Sequence, residues 1–328
     1  MRVILAPMEG VMDPLMRQVF TEINNYDLCV TEFVRVVEQL LPEKVFRRLC
    51  PELDQGGKTL AGTPVRVQLL GQHPQWMAEN AAVAAELGSP GIDLNFGCPA
   101  KSVNRSNGGA VMLKTPEQIH QVVSQVRAAV PAHLPVTAKV RLGWDSGDRA
   151  MEIADAAASG GAAELVIHAR TKEDGYRAER IDWPAIAPIA KALSIPVIAN
   201  GEIWNRADAL ACQQLSGCED IMLGRGALAV PNLANVVRGT ESAYSWSQVA
   251  ALMADYAERE ISGEKSIYFP NRIKQWLRYI LMQYPQAEPF FVELRVLRCV
   301  DAIVELLKRE QARAFELEQR GEPVFPSI

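Results

Sequence analysis

Residues 136–168 read VTAKVRLGWDSGDRAMEIADAAASGGAAELVIH, and this stretch holds two short apolar runs joined by an Ala-rich segment. The runs at residues 136–140 and 165–168 are rich in β-branched and aliphatic side chains, as buried strands are. In residues 149–159 the apolar positions recur at helical spacing. The stretch therefore predicts a strand, a helix and a second strand, which is the repeating unit of a parallel sheet.

The same alternation extends over the first 225 residues of the 328-residue chain. Six further runs of strand type lie at residues 3–5, 28–31, 65–69, 92–94, 197–199 and 221–223, and helical segments include residues 75–87, 116–130 and 183–193. Eight strands that alternate with helices predict a (β/α)8 TIM barrel. A doubly wound open sheet is the alternative, and it is weaker because no G-x-G-x-x-G motif opens the first helix.

After Gly239 the strand pattern stops and helical patterns follow, at residues 245–259, 271–282 and 291–318. We therefore expect two domains, a catalytic barrel at residues 1–240 and a small all-helical domain at residues 241–328.

The composition is that of a globular protein, with 48% hydrophobic and 22% charged residues. Pro7 and Glu9 break the first apolar run, so it does not predict a signal peptide, and no later stretch predicts a membrane span. The six cysteines form no C-x-x-C pair, which argues against disulfides or a metal site and for a reducing cytoplasm. The net charge of -5 means that a nucleic-acid partner would need a local basic face.

Polar residues at the carboxyl ends of barrel strands are candidates for the active site. Asn200-Gly201-Glu202 and Gly224-Arg225-Gly226 follow strands seven and eight, where glycines and a helix N-terminus commonly bind phosphate. Arg225 would add a bidentate contact. Tight turns that need positive φ are the alternative reading of these glycines. His168, at the end of strand six, is either a phosphate ligand or a satisfied core histidine.

Lys139 and Cys98 are the other two candidates. A lysine inside the apolar fifth strand should face a ligand, or else form a structural ion pair with Asp93 or Glu202. Cys98 stands in a Gly-Cys-Pro loop after strand four, a position better suited to function than to an inert buried thiol. With an ordinary thiol pKa of about 8.5 it would be protonated at neutral pH, so we expect a general acid rather than a nucleophile.

Six segments resemble the tRNA-dihydrouridine synthase family. In chain order they are LAPMEGV (5–11), NFGCPAK (95–101), KVRLGW (139–144), HART (168–171), ANGEI (199–203) and GRGA (224–227). Each is weak or moderate alone, but together they span the whole predicted barrel and are highly specific. Phe96 departs from the family pattern, in which a sulfur-containing residue is common at this position, and we expect it to change packing rather than the proton donor.

Within the family, the chain is most similar to the bacterial branch that modifies uridine 16 of the D-loop. This likeness rests on TEFVRV (31–36), GYRAE (175–179) and RIKQWL (272–277). The resemblance implies an enzyme that uses FMN and NADPH to reduce the 5,6 double bond of a uridine in tRNA. It also implies that the helical C-terminal domain binds RNA. We expect the enzyme to be cytoplasmic, monomeric and free of metal.

The resemblance implies a role for each site residue. FMN would be held by Pro7, Met8, Glu9, Gln68, Lys139, His168, Asn200, Gly201, Glu202, Gly224 and Arg225. Cys98 would protonate the uridine, which must be flipped out of the tRNA, and Asn95 and Tyr176 would read or stack on the base. The basic face that tRNA requires would comprise Arg35 of the barrel and Arg272, Lys274, Arg278, Arg295 and Arg298 of the helical domain. The alternative for these cations is a solvated helical face.

Two other functions compete with this one. A flavin barrel that reduces a small molecule, such as a dihydroorotate- or enoate-type oxidoreductase, would share the phosphate loops but would not need basic helices. A non-catalytic tRNA-binding barrel would not need Cys98 and Lys139.

Overall fold

The computed structural model describes residues 1–105, 107–263 and 266–321, so the last seven residues of the predicted helical domain lie outside the described residues. Eight parallel strands form a closed barrel. They are β1 Val3–Leu5, β2 Leu28–Arg35, β3 Val65–Leu70, β4 Ile92–Asn95, β5 Val136–Gly143, β6 Glu164–Thr171, β7 Val197–Asn200 and β8 Asp220–Leu223. The predicted TIM barrel is confirmed, because β1 pairs with both β2 and β8 and no open edge is left.

Helices connect the strands and form the C-terminal region. They are α1 Pro14–Glu22, α2 Glu43–Leu49, α3 Pro74–Glu86, α4 Lys101–Asn104, α5 Pro116–Ala129, α6 Ala150–Ser159, α7 Ala187–Ala192, α8 Arg206–Ser216, α9 Arg225–Ala229, α10 Leu233–Arg238, α11 Trp246–Ile261, α12 Phe269–Ile280, α13 Glu288–Leu294 and α14 Val300–Gln319. Among them we find no helix with the length and apolarity needed to cross a bilayer.

Strand alternation divides the barrel into an outer apolar layer and a mixed interior. Alternate residues such as Val67, Leu94 and Ala138 belong to the large core cluster that includes the surrounding helices. The opposite positions point inward, and there a smaller apolar cluster comprises Ile4, Ala6, Leu28, Val30, Val166, Ile198 and Met222. The inward positions of β3 to β5 are polar instead, namely Arg66, Gln68, Asp93, Asn95, Thr137, Lys139 and Arg141. The interior is therefore apolar on one side and polar on the other.

The predicted helical C-terminal region is confirmed, with one correction. The pattern at residues 291–318 predicted a single helical stretch, but α13 ends at Leu294 and α14 begins at Val300. At this break the backbone carbonyl of Leu297 accepts a hydrogen bond from the ammonium group of Lys274. An orphan carbonyl near a helix end is thereby satisfied by a side chain from α12.

Helix α12 attaches the helical region to the barrel. The indole of Trp276 is fully buried and donates to the carbonyl of Leu228 at the end of α9, 3.1 Å away. Its ring packs against Phe20 of α1 and Tyr256 of α11, with centroid distances of 5.9 and 5.2 Å. The apolar core thus runs without interruption from the barrel shell into the C-terminal helices.

An ion-pair cluster seals this junction. The Arg272 guanidinium pairs with Asp13, which caps the N-terminus of α1, and with Glu260 of α11, 2.9 Å away. Both carboxylates are almost inaccessible to solvent, at 9% and 4% exposure. The charge of Arg272 is therefore already compensated inside the protein.

We predict that Arg272→Ala lowers the free energy of unfolding by roughly 3 kcal/mol, because it leaves two buried carboxylates without their cation. Urea unfolding measures the effect. Arg278→Ala is the matched control, since Arg278 is exposed on the same helix, and it should change stability by less than about 0.5 kcal/mol. Equal unfolding midpoints for the two variants would contradict the structural role of Arg272.

Candidate active site at the carboxyl end of the barrel

A cavity of about 630 Å³ opens at the carboxyl ends of the strands. It is lined by all of the residues predicted to hold a cofactor, namely Pro7, Met8, Glu9, Gln68, Lys139, His168, Asn200, Gly201, Glu202, Gly224 and Arg225. Cys98, Asn95 and Tyr176 line the same cavity, and so does Tyr279 of α12, which the sequence analysis did not single out. The predicted thiol and the predicted phosphate turns therefore face one common space.

Lys139 points from β5 into this cavity. Its ammonium group donates to the side-chain oxygen of Asn200, 2.8 Å away. Burial, with the neighbouring Arg141, lowers the pKa of Lys139 to about 7, while Asp93 opposes the shift. Among the described residues no salt bridge joins Lys139 to Asp93 or Glu202, so the ion-pair alternative is not favoured. The remaining N–H groups are left for a ligand.

His168 is buried at the end of β6 and is held neutral. Burial lowers the pKa of His168 well below its ordinary value, and nearby positive charges add to this shift. Those charges belong to Arg141, Lys139, Arg170 and Arg225. A neutral imidazole can still hydrogen-bond a phosphate, so His168 as a phosphate ligand stays a prediction. Its Nδ1 is buried and has no hydrogen-bond partner among the described residues, so His168 is not a satisfied core histidine. Because such an atom costs about 1–3 kcal/mol, a ligand atom is the natural partner.

Glu202 acts as a counterion for two arginines. Its carboxylate accepts a hydrogen bond from Arg225 and forms a salt bridge with Arg170 at 2.8 Å, and its second oxygen accepts from the indole of Trp204 at 2.9 Å. Glu202 has a φ of +53°, a left-handed conformation that is rare outside glycine. A carboxylate would repel a phosphate, so we assign Glu202 to orienting Arg225 rather than to direct anion contact.

The turn after β8 is shaped for a close backbone approach. A Cβ atom on Gly226 would lie 2.0 Å from the carbonyl oxygen of Ile203, so only glycine fits there. Gly201 has a φ of +120°, so the tight-turn reading of this glycine also holds. The Arg225 guanidinium lies over the ring of Tyr176, 4.7 Å from its centroid. A close-packed glycine turn and a guanidinium thus line the cavity, a combination typical of an anion site.

Cys98 is held in a defined loop between β4 and α4. Its backbone N–H donates to the side-chain oxygen of Asn95 at 2.9 Å, and the N–H of Gly97 donates to the same oxygen at 3.0 Å. Burial raises the pKa of the Cys98 thiol, and Glu9 also raises it, while Arg141 lowers it. The thiol is therefore protonated at neutral pH, as a proton donor must be.

Arg141 is a site residue that the prediction omitted. It is buried, and it donates to the carbonyls of Gly97 at 2.9 Å, Thr171 at 3.0 Å and Gly175 at 3.2 Å. It therefore ties the Cys98 loop to the loop that carries Tyr176. The available signal was its position two residues after Lys139, which places both side chains inside the barrel.

The predicted tRNA-contacting residues separate into two groups. Tyr176 is 54% exposed at the cavity mouth, and Arg35, Arg278 and Arg295 are exposed as well. Two members of the predicted basic face, Arg272 and Lys274, are instead engaged in the internal contacts described above. The charge of Arg272 is compensated by carboxylates and Lys274 donates to a backbone carbonyl, and the contact of both residues with tRNA stays a prediction.

The described residues contain no group of three or more histidine, cysteine or acidic side chains that could hold a metal ion.

The fold and this cavity define a TIM-barrel enzyme with a site for a phosphate-bearing cofactor. A family model described as dihydrouridine synthase (Dus) matches residues 4–290, and the chain belongs to this family. The resemblance noted in the sequence is confirmed.

Similar proteins agree with this placement. The tRNA-dihydrouridine(16) synthase of Escherichia coli strain K12 is 59% identical over 297 residues, covering 90% of this chain and 94% of the relative. That of Vibrio cholerae is 59% identical over 309 residues, covering 94% and 96%. Morphinone reductase in complex with tetrahydroNAD superposes with a TM-score of 0.51 at 13% identity, over 74% of this chain and 88% of that one. The last likeness shows a shared fold.

We predict that the rate of Cys98 alkylation by iodoacetamide rises with pH and is half-maximal at a higher pH than for an unstructured peptide thiol, about 8.5. The reason is that burial disfavours the thiolate. A Cys299→Ser background removes the one exposed thiol, and the other four cysteines are buried. Cys98→Ala in that background is the blank. A midpoint at or below that of the peptide would contradict the protonated state.

Proposed function

We propose that this protein reduces the 5,6 double bond of a uridine in tRNA, with FMN as its cofactor and NADPH as electron donor. One observation carries the proposal: a protonated cysteine and a phosphate-type turn line one cavity, in a chain 59% identical to tRNA-dihydrouridine(16) synthases. We further propose uridine 16 of the D-loop as the target, because the chain is similar to these relatives over 90% or more of its length.

The cavity residues fit FMN. Arg225, Gly224 and Gly201 would bind the phosphate group, and the unpartnered Nδ1 of His168 would find a ligand atom. Lys139 retains N–H groups for an anionic edge of the ring system. When bound and reduced, FMN supplies the hydride that adds to C6 of the uracil ring, and NADPH restores the reduced cofactor.

Cys98 would supply the proton. Its thiol transfers H⁺ to C5 of the base as C6 receives the hydride, so one hydride and one proton together saturate the C5–C6 bond. The thiolate that remains lies in the field of Arg141 and Arg35, both of which favour it electrostatically. Solvent then returns the proton to the sulfur. The raised pKa keeps Cys98 protonated before the reaction, and the two arginines lower the free-energy cost of forming the thiolate.

The uridine must leave the tRNA stack to reach this cavity, and contacts in the site offset that cost. Tyr176, exposed at the mouth, would stack on the base. Asn95 lies along the cavity wall, but its oxygen already holds the Cys98 loop and one of its amide N–H groups donates to Gln68, so a single N–H group is left for the base. Arg35, Arg278 and Arg295 would contact phosphates.

We propose that residues 1–240 carry the cofactor and the chemistry and that residues 241–328 position the tRNA, on a monomeric cytoplasmic enzyme. The two proposed functions are not fully separated between these regions, because Tyr279 of the helical region lines the cavity.

The decisive experiment is Cys98→Ala. We expect this variant to keep FMN and its reduction by NADPH, but to lose about 10²–10⁴-fold in dihydrouridine formation, since only the proton donor is removed. Product is measured by mass spectrometry of unmodified tRNA after reaction, with the modified position mapped by fragmentation. Cys299→Ala, at an exposed cysteine, is the matched control and should react like the parent protein.

Three outcomes would contradict the proposal. Normal product formation by Cys98→Ala would remove the acid role. A colourless protein that cannot be loaded with FMN would remove the cofactor. Equal acceleration of NADPH oxidation by free uridine and by tRNA would favour a small-molecule reductase.

A second prediction concerns the exposed cations. Arg278→Ala and Arg295→Ala should each weaken tRNA binding and reduce the slope of log K against log salt by about 0.7–0.9, the loss of one phosphate contact. Filter binding at several salt concentrations measures the slope. Lys191→Ala, on the exposed side of α7, is the control that should leave the slope unchanged. Unchanged slopes for both arginine variants would contradict the proposed face.

A further inference from the structure

A chain of buried hydrogen bonds leads from the middle of the barrel to the Cys98 loop. The side-chain oxygen of Asn95 accepts from the backbone N–H groups of Gly97 and Cys98, at 3.0 and 2.9 Å. The amide nitrogen of Asn95 donates to the side-chain oxygen of Gln68 at 2.8 Å. The amide nitrogen of Gln68 in turn donates to Asp93 at 2.7 Å. All three side chains are buried, at 8%, 0% and 2% exposure.

The donor-to-acceptor direction of these hydrogen bonds determines whether the Cys98 loop keeps its acceptor. A side-chain amide presents an oxygen and an NH2 group of nearly the same shape, so it can occupy its site in two orientations. In the reversed orientation, Asn95 would point its NH2 group at two backbone N–H donors and leave the loop without an acceptor. Gln68 prevents this reversal by offering its oxygen to Asn95. It does so only while its own NH2 group has an acceptor.

Asp93 provides that acceptor and fixes the donor-to-acceptor direction of all the hydrogen bonds that lead to the Cys98 loop. An ionised carboxylate accepts hydrogen bonds and donates none, so it binds the NH2 side of Gln68 and not the oxygen side. Its second oxygen accepts from the hydroxyl of Thr137 at 2.6 Å, and that hydroxyl accepts from Arg66 at 3.1 Å. The carboxylate is therefore itself held in place from two sides.

We propose that Asp93 is a positioning residue for Cys98 and acts through Gln68 and Asn95. The inference rests on the proposed role of Cys98 as proton donor. Asp93 does not line the cavity, whereas Gln68 and Asn95 do, so Asp93 reaches the site only through those two amides. The relay holds the thiol where its proton must be delivered, and a displacement of this kind commonly has a large effect on rate.

Burial raises the pKa of Asp93, while the hydrogen bonds from Gln68 and Thr137 and the charges of Arg66 and Lys139 oppose this rise. The proximity of the carboxylate to these two cations suggests a competing role as a simple counterion. Two substitutions separate the roles. Asp93→Asn removes the charge, but its oxygen can still accept from Gln68 while its NH2 group donates to the hydroxyl of Thr137. Asp93→Leu has similar bulk and removes both the charge and the acceptor.

The test uses the FMN-loaded protein in a Cys299→Ser background, with the pH dependence of Cys98 alkylation by iodoacetamide and kcat and KM for tRNA as readouts. We expect Asp93→Leu to shift the alkylation midpoint toward that of a peptide thiol and to lower kcat about tenfold or more at nearly constant KM, because the loop loses its anchor. We expect Asp93→Asn to stay within about twofold of the parent protein in kcat, because the acceptor is kept.

Two results would overturn the proposal. One is an Asp93→Leu variant with the parent alkylation profile and kcat. The other is an Asp93→Asn variant whose kcat falls as far as that of Asp93→Leu, which would show that the charge of Asp93, and not its acceptor role, determines the rate. If Asp93→Leu does not fold, Thr137→Val removes only the hydroxyl that holds the carboxylate, and an unchanged profile there overturns the proposal. A parent protein that forms no dihydrouridine would refute the proposed function, while the alkylation measurements would still test the relay.

Discussion

The burial of polar side chains on one side of the barrel interior is the constraint on which the site depends. Strand alternation turns Gln68, Asp93, Asn95 and Thr137 inward, where an unpaired polar group costs several kcal/mol. Each amide and hydroxyl therefore has to be matched with its neighbour, and the matching leaves little freedom of orientation. The loop that carries Cys98 inherits this order, because its backbone N–H groups terminate the network.

The electrostatic balance of the cavity follows from the same burial. Burial, together with the nearby positive charges of Arg141, Lys139, Arg170 and Arg225, lowers the pKa of His168, and burial also lowers the pKa of Lys139 to about 7. Across the cavity, burial and Glu9 favour the protonated form of Cys98. The positive charges that lower the pKa values of His168 and Lys139 favour an anionic, phosphate-bearing ligand, while Cys98 keeps a proton ready for transfer. Both properties come from charges on separate strands that converge at the carboxyl ends.

The local sequence pattern was enough to predict the barrel and the residues that line the cavity, because parallel strands bring their carboxyl ends together whatever the conformation of the loops. It was not enough where a partner is remote in sequence. Arg272 looked like an exposed phosphate contact, but it pairs with Asp13, far away in the chain. The neutral state of His168 depends on cations from several strands, and helical spacing in residues 291–318 continues across a break that Lys274 stabilises from another helix.

Helix α12 links the C-terminal helical region and the barrel more tightly than two independent domains would allow. Its buried face bonds to the end of α9, the helix that begins at the phosphate-type turn. Tyr279 on the same helix lines the cavity, and the adjacent Arg278 is exposed to solvent. A phosphate bound at Arg278 would therefore be held by the residue adjacent in sequence to Tyr279 of the cavity wall. The helix fixes this separation, so the position of the RNA backbone on α12 would determine which nucleotide can reach Cys98.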